Sequence, residues 1–138
     1  MHEFKFQYPN GPLIDRHLSE FCLNSTDYPL AIVRHEMNTG WVWYQLPAFN
    51  DHSIQIVISL AFYNDVLSQI SLAHVDELIY GSSWSSWSEN KELLRVQTTK
   101  KWLENKGYSL GKYAWGEIWA NYDPKSGSGS AGIRFNWD

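Results

Sequence analysis

Apolar and polar residues alternate most regularly over residues 53–63. The apolar positions there are Ile54, Ile56, Ile58, Leu60 and Phe62. A period of two is typical of a strand, so this stretch predicts a strand near the centre of a sheet. Asn64 and Asp65 tolerate positive φ and predict a tight turn into a second strand over 66–75. One face of that second strand is predicted to carry Val66, Ser68, Ile70, Leu72 and His74.

Other stretches predict further strands and two helices. The strand patterns occupy residues 4–8, 30–37, 41–46, 113–122 and 131–137. Helical spacing after Pro12 predicts a first helix that ends near Asn24. A second helix is predicted over 87–106, because Ser86 followed by Glu89 is a capping-box pattern and Gly107 ends it. Its main apolar stripe is predicted to consist of Trp87, Leu94, Thr98 and Trp102.

The order of these elements is β-α-β-β-β-β-α-β-β. Short links between successive strands favour antiparallel neighbours over crossover units. The 138 residues fit one folded domain. We therefore predict a single α+β domain over residues 1–138, with a mainly antiparallel sheet and two helices.

Charge and cysteine content narrow the functional classes. The chain has 11 Lys and Arg against 15 Asp and Glu, a net charge of −4, which argues against direct nucleic-acid binding through a basic surface. Its most apolar window, residues 54–63, is too short for a membrane helix. The lone Cys22 cannot form an internal disulfide, which fits a reducing, cytoplasmic location.

No arrangement of residues predicts catalysis, a metal or a cofactor. The five histidines never occur in a metal-ligand spacing, and Cys22 has no cysteine partner. His35 and Glu36 would point to opposite faces of a strand, so they do not form an acid-base pair. The glycine-rich residues 127–130 lead into a strand and not a helix, which favours a hairpin connector over a phosphate site. We therefore expect a protein that is not an enzyme.

Aromatic residues are abundant, and two of them lie in a loop. The chain has 8 Trp, 8 Tyr and 6 Phe, together 16% of its residues. Trp84 and Trp87 stand in a serine-rich segment before the second helix. Loop tryptophans either fold back onto the core or contact a partner, and the sequence leaves both interpretations open.

Acidic residues near these tryptophans extend the candidate contact surface. Glu117 lies between Trp115 and Trp119 on what the alternation predicts to be one strand face. If that face is buried, Glu117 needs a cation such as Arg134; if it is open, it is an aromatic and acidic recognition surface. The binding residues predicted on this basis are Trp84, Trp87, Glu89, Glu117, Trp119 and Asp123.

Residues 84–137 resemble small bacterial immunity proteins of polymorphic toxin and contact-dependent growth inhibition systems. The resemblance rests on the segments 87–93, 102–103, 115–118 and 122–127, a Trp-rich helix followed by a final hairpin. It implies a protein that binds and blocks a cognate toxin domain, often a nuclease. The net acidic charge fits a basic partner of this kind.

A second hypothesis comes from another functional class. A small ligand-binding domain or enzyme would hold an aromatic-lined pocket between sheet and helix, with Glu117, Asp123 or His74 as its polar groups. A sealed interface between sheet and helix would disfavour it. A toxin gene with a variable C-terminal domain beside the gene for this chain would favour the immunity hypothesis.

Overall fold

A computed structural model describes residues 2–137 of the chain. Three α-helices lie in this range: α1 (Glu20–Ser25), α2 (Glu77–Tyr80) and α3 (Glu89–Asn105), and Trp84–Ser86 form a short 3-10 helix. The strands are β1 (Phe6–Gln7), β2 (Leu13–Ile14), β3 (Val33–Glu36), β4 (Trp41–Gln45), β5 (Phe49–Asp51), β6 (Ile54–Tyr63), β7 (Val66–His74), β8 (Gly111–Tyr113), β9 (Gly116–Asp123) and β10 (Ser128–Phe135).

The strands form one large sheet and one small hairpin. The large sheet has the order β3-β4-β6-β7-β10-β9-β8, with β5 also paired to β6, while β1 pairs with β2. Every one of these pairings is antiparallel. The predicted α+β class with a mainly antiparallel sheet is confirmed. The one-turn helix α2 and the short strand β5 were not predicted.

The central hairpin is the predicted one, but a bulge changes which side chains face the core. Asn64 and Asp65 have φ of 50° and 70°, so they form the expected tight turn. Phe62 pairs with Leu67 and Ala61 with Gln69, which leaves Ser68 as the extra residue. The predicted grouping of Val66 and Ser68 on one face with Ile70, Leu72 and His74 is therefore wrong at the start of β7, where Leu67 is the buried residue.

Helix α3 packs on one face of the sheet, against β7, β9 and β10. It begins two residues later than the capping-box pattern predicted, because Ser88 and not Ser86 caps it and accepts from the Lys91 amide. The predicted stripe is also wrong, since Leu94 is 46% exposed. The buried positions of α3 are Glu92, Val96, Thr99, Trp102 and Leu103.

The N-terminal region differs most from its prediction. A helix was expected from Pro12, but β2 occupies the first part of that range and pairs with β1. Helix α1 begins only after Ser19, whose side chain accepts from the Cys22 amide. Phe21 in the first turn of this helix is 72% exposed, and its amide donates to the Asp65 carboxylate at 2.8 Å.

The predicted strand over 113–122 is two strands with a turn between them. Trp115 lies in this turn and stacks on Tyr113, with ring centroids 5.4 Å apart. Strand β9 begins at Gly116, where a side chain would overlap the Arg134 carbonyl. Trp115 therefore does not share a strand face with Glu117 and Trp119. Strand β10 begins at Ser128, so most of the hairpin connector predicted over 127–130 belongs to the strand.

Candidate functional site

The clearest irregularity of the sheet is an opening between the ends of β7 and β10. These strands pair regularly where Ala131 is opposite Leu72 and Ile133 is opposite Ile70. Continuing this register would place Gly129 opposite His74. At that point the backbone groups bind side chains of α3 instead of each other, so the ladder ends and the two strands separate.

Three side chains of α3 take the place of the missing ladder bonds. The Gly129 amide donates to Glu92 Oε1 at 3.0 Å. The His74 amide donates to Thr99 Oγ1 at 2.9 Å, and the His74 carbonyl accepts from Arg95 Nη1 at 2.7 Å. Buried backbone groups need such partners, so these side chains hold the opening in place.

Glu92 and Arg95 also form an ion pair at the bottom of the opening, and we call these two side chains its floor. Arg95 Nε and Nη2 donate to the two carboxylate oxygens of Glu92 at 3.0 and 3.3 Å. The Arg95 guanidinium lies over the Tyr80 ring, 4.0 Å from its centroid. The pair leaves the floor with no net charge.

His74 belongs to the same buried network. Its Nδ1 lies 2.7 Å from the Tyr80 hydroxyl, and the residue is 5% exposed. Burial lowers the pKa of His74, and nearby Arg95 lowers it further, while Asp76 acts in the opposite direction. His74 is therefore held as a neutral ring in the core.

Two serine- and glycine-rich loops meet above this floor. Trp87 Nε1 donates to the Gly127 carbonyl at 2.6 Å, and the Trp84 ring also lies beside Gly127. Lys91 Nζ donates to the Ser86 carbonyl at 2.6 Å and ties the first loop to the start of α3. The Trp84 ring nevertheless remains 75% exposed. The loops were recognisable from the sequence, but their meeting was not.

Together these elements line an open cleft of about 490 Å³, which we call the strand-end cleft. Its volume falls in the range usual for small-molecule sites. Its lining comes from strands β7 and β10, from the two loops, and from the side chains of the floor. The lining residues are Ser71, Ala73, Tyr80, Gly81, Ser82, Ser83, Trp84, Trp87, Glu92, Arg95, Gly127, Ser128, Gly129 and Ser130.

Four of the six predicted binding residues lie at or near the strand-end cleft. Trp84 and Trp87 line it. Glu89 is exposed in the first turn of α3, and Asp123 is exposed at the end of β9. Desolvation raises the pKa of Tyr122, and the charges of Glu89, Glu92 and Asp123 raise it further. Glu89 and Asp123 thus both lie within electrostatic reach of Tyr122.

The other two predicted residues lie on the face of the sheet away from α3, the face that also carries Ser71. Glu117 pairs with Arg134 Nη2 at 2.8 Å, which realises the ion-pair alternative considered for it. The Trp119 ring covers Gly132, where an added side chain would overlap it. Both side chains point away from α3, because the intervening Ile118 is buried on the helix side. Neither residue is among those that line the strand-end cleft.

The pocket expected between sheet and helix is filled. Val96, Thr99 and Leu103 are buried there. The three polar groups proposed for that pocket do not converge either. His74 is buried on the helix side, Glu117 faces the other way, and Asp123 is exposed in the final turn, where it accepts from the Lys125 amide.

Searches for a metal site and for related proteins give no further assignment. Within residues 2–137, no cluster of three or more His, Cys, Asp or Glu side chains could hold a metal ion. No helix in that range is both long and apolar enough to cross a membrane. Comparison with protein-family models, curated proteins and solved structures finds no match to this chain.

Proposed function

We propose that the protein is a stoichiometric binding protein that neutralises a cognate toxin domain. The observation that carries this proposal is a concentration of exposed apolar side chains in one short segment. Leu78 is 99% exposed and Trp84 75%, and Ile79 and Trp87 are also exposed. We call these four residues the apolar loop surface. Such clusters in a chain of this size are typical of protein contact sites.

Acidic residues stand at the ends of elements that adjoin the apolar loop surface in the chain or at the turn it contacts. Asp76 and Glu77 begin α2, Glu89 begins α3, and Asp123 stands at the end of β9. Charge at the rim of an interface acts mainly on the rate of encounter and is screened by salt. This distribution favours a basic partner, as a nuclease toxin would be.

The direct test uses toxin C-terminal domains encoded beside the gene for this chain. We expect one of them to form a one-to-one complex with the purified protein and to lose its toxicity. Combining Leu78→Ser with Trp84→Ala should weaken that complex by at least about tenfold, roughly 1.4 kcal/mol. Failure of every neighbouring toxin domain to bind would refute the proposal.

Phe21→Ser supplies the matched control for this surface. Phe21 is 72% exposed, like Trp84, but lies on α1. The residue before α1, Ser19, bridges to Val66 at the other end of β7 from the strand-end cleft. The control should bind as the parent does. Equal weakening by Phe21→Ser would place the contact elsewhere.

The contribution of the acidic residues to toxin binding can be measured separately from that of the apolar residues. Charge reversal by Glu89→Lys with Asp123→Lys should slow association and reduce its dependence on salt. The matched control is Asp27→Lys with Glu104→Lys, because both residues are exposed and the net change in charge is the same. Glu117 is unsuitable for this test, since its reversal would break the ion pair with Arg134. If the two double variants slow association equally, the rate depends on the net charge of the protein and not on the positions of Glu89 and Asp123.

A further inference from the structure

The lining of the strand-end cleft is rich in hydroxyl groups. Ser71, Ser128 and Ser130 contribute from the strands, and Ser82 and Ser83 from the loop before α3. Each hydroxyl both donates and accepts hydrogen bonds. Such a lining matches a ligand whose own groups also do both. It does not match an apolar ligand, which would leave these groups without partners.

An indole ring stands at the mouth of this polar cleft. Trp84 is 75% exposed, although its ring lies against Gly127. Trp87 beside it is fixed by its bond to the Gly127 carbonyl at 2.6 Å. A flat, exposed aromatic face attracts the slightly positive C–H groups of a ligand ring, because the face of the π system is negative.

Many ligands have a ring and polar groups, and the charged side chains of the cleft indicate which net charge such a ligand should carry. Glu92 and Arg95 are the charged side chains of the lining, and they neutralise each other at 3.0 Å. An anionic ligand would compete with Glu92 for Arg95, and a cationic ligand would meet the guanidinium. Both would disturb the bonds that hold the opening between β7 and β10. A neutral ligand leaves them intact.

We propose that the strand-end cleft binds a neutral saccharide, with one sugar ring stacked on Trp84 and its hydroxyls bonded to the serine-rich walls. A sugar ring combines an apolar C–H face with hydroxyls that donate and accept. The volume of about 490 Å³ accommodates a short oligosaccharide. This site is additional to the proposed binding of a toxin domain and does not depend on it.

The test measures binding of three neutral trisaccharides by the intact protein: maltotriose, cellotriose and triacetylchitotriose. In nitrogen-proton NMR spectra, at least one of them should shift the indole resonances of Trp84 and Trp87 saturably. We expect a dissociation constant of roughly 1 mM or tighter. Absence of a saturable shift with all three would overturn the proposal.

Variants of the cleft then locate the ligand. Trp84→Ala should weaken binding at least about tenfold, and Trp84→Phe should bind with intermediate affinity. Ser71→Ala with Ser130→Ala should also weaken it. The matched control is Trp137→Ala, because Trp137 is 47% exposed and its indole N–H binds the Leu67 carbonyl near the other end of β7. Unchanged affinity in folded Trp84→Ala would overturn the proposal.

Three further measurements distinguish saccharide binding from binding of other ligands and from the toxin contact. Adenosine is also neutral and can stack on an indole, so tighter binding of adenosine than of any trisaccharide would overturn the saccharide assignment. Leu78→Ser should keep saccharide affinity, because Leu78 does not line the strand-end cleft. The double serine variant should keep affinity for a toxin partner. Failure of one proposal is thus distinguishable from failure of the other.

Discussion

The pairing of β7 with β10 has a closed half and an open half. In the closed half Ile70 and Leu72 face Ile133 and Ala131, and all four side chains are buried. In the open half, two residues further along, His74 and Gly129 are bonded to α3 side chains. The ladder thus continues where both strands carry buried apolar side chains, and it ends where side chains of α3 bind the backbone groups.

The two halves also differ in what they contribute to stability. Burial of apolar side chains in the closed half is favourable at about 25 cal/mol for each Å² removed from water. A buried ion pair such as Glu92 with Arg95 gains little over well-packed apolar residues, although breaking it is costly. The open half therefore adds less stability than a continued ladder with an apolar core would. What it adds is a shaped polar cleft, which is the property that binding requires.

The largest expected effect is in the closed half. Leu72→Ala should lower the free energy of unfolding by about 3 to 4 kcal/mol, because it leaves a cavity in a site that is 1% exposed. Urea unfolding measures the change. Ser71→Ala, one residue away on the other face, should change stability by less than about 0.5 kcal/mol. Similar losses in both variants would contradict the assignment of faces.

A smaller loss is expected in the open half. Glu92→Ala should cost about 2 kcal/mol, because it leaves the Gly129 amide and the Arg95 guanidinium without their partner. The loss stays below that of a fully buried pair, since the Arg95 side chain is 19% exposed and can gain water from the cleft. Glu92→Gln keeps an acceptor for the amide and should cost less than Glu92→Ala. An unchanged midpoint of urea unfolding in Glu92→Ala would mean that α3 does not hold the opening.

Local patterns in the sequence predicted the hairpins and failed where distant residues decide the structure. The alternation over 53–63 and the turn at Asn64 and Asp65 are local, and both were predicted correctly. The apolar stripe of α3 was predicted incorrectly, because the buried face of this helix includes the polar residues Glu92 and Thr99. Polar residues at such positions are buried only because β7 and β10 offer backbone groups to bind, and no pattern within the helix contains that information.

The candidate site was predicted only in its parts. The serine-rich loop with Trp84 and Trp87 and the glycine-rich turn were both visible in the sequence. Their meeting depends on the pairing of β7 with β10, strands that are far apart in the chain. Glu117 was grouped with them because it lies between tryptophans in the sequence. Alternation along β9 places Glu117 and Ile118 on opposite faces of the sheet. Ile118 is buried towards α3, so Glu117 points away from α3.

The smallest expected effect concerns the protonation of His74 in the open half. Burial lowers the pKa of His74 in the folded protein, whereas the unfolded chain keeps a value near 6.5. Above that value the ring is neutral in both states, so His74 adds no dependence on pH. As the pH falls below it, the unfolded state binds a proton more readily, and stability is lost until the folded-state pKa is also passed.

Unfolding free energies measured from about pH 7.5 to about pH 5.5 should therefore fall more for the parent than for His74→Gln. The other four histidines are present in both proteins, so the difference isolates His74. Parallel curves for the two proteins would show that the buried network between β7 and α3 accepts a charged imidazole, contrary to the burial and the Arg95 contact seen at the open end of the sheet.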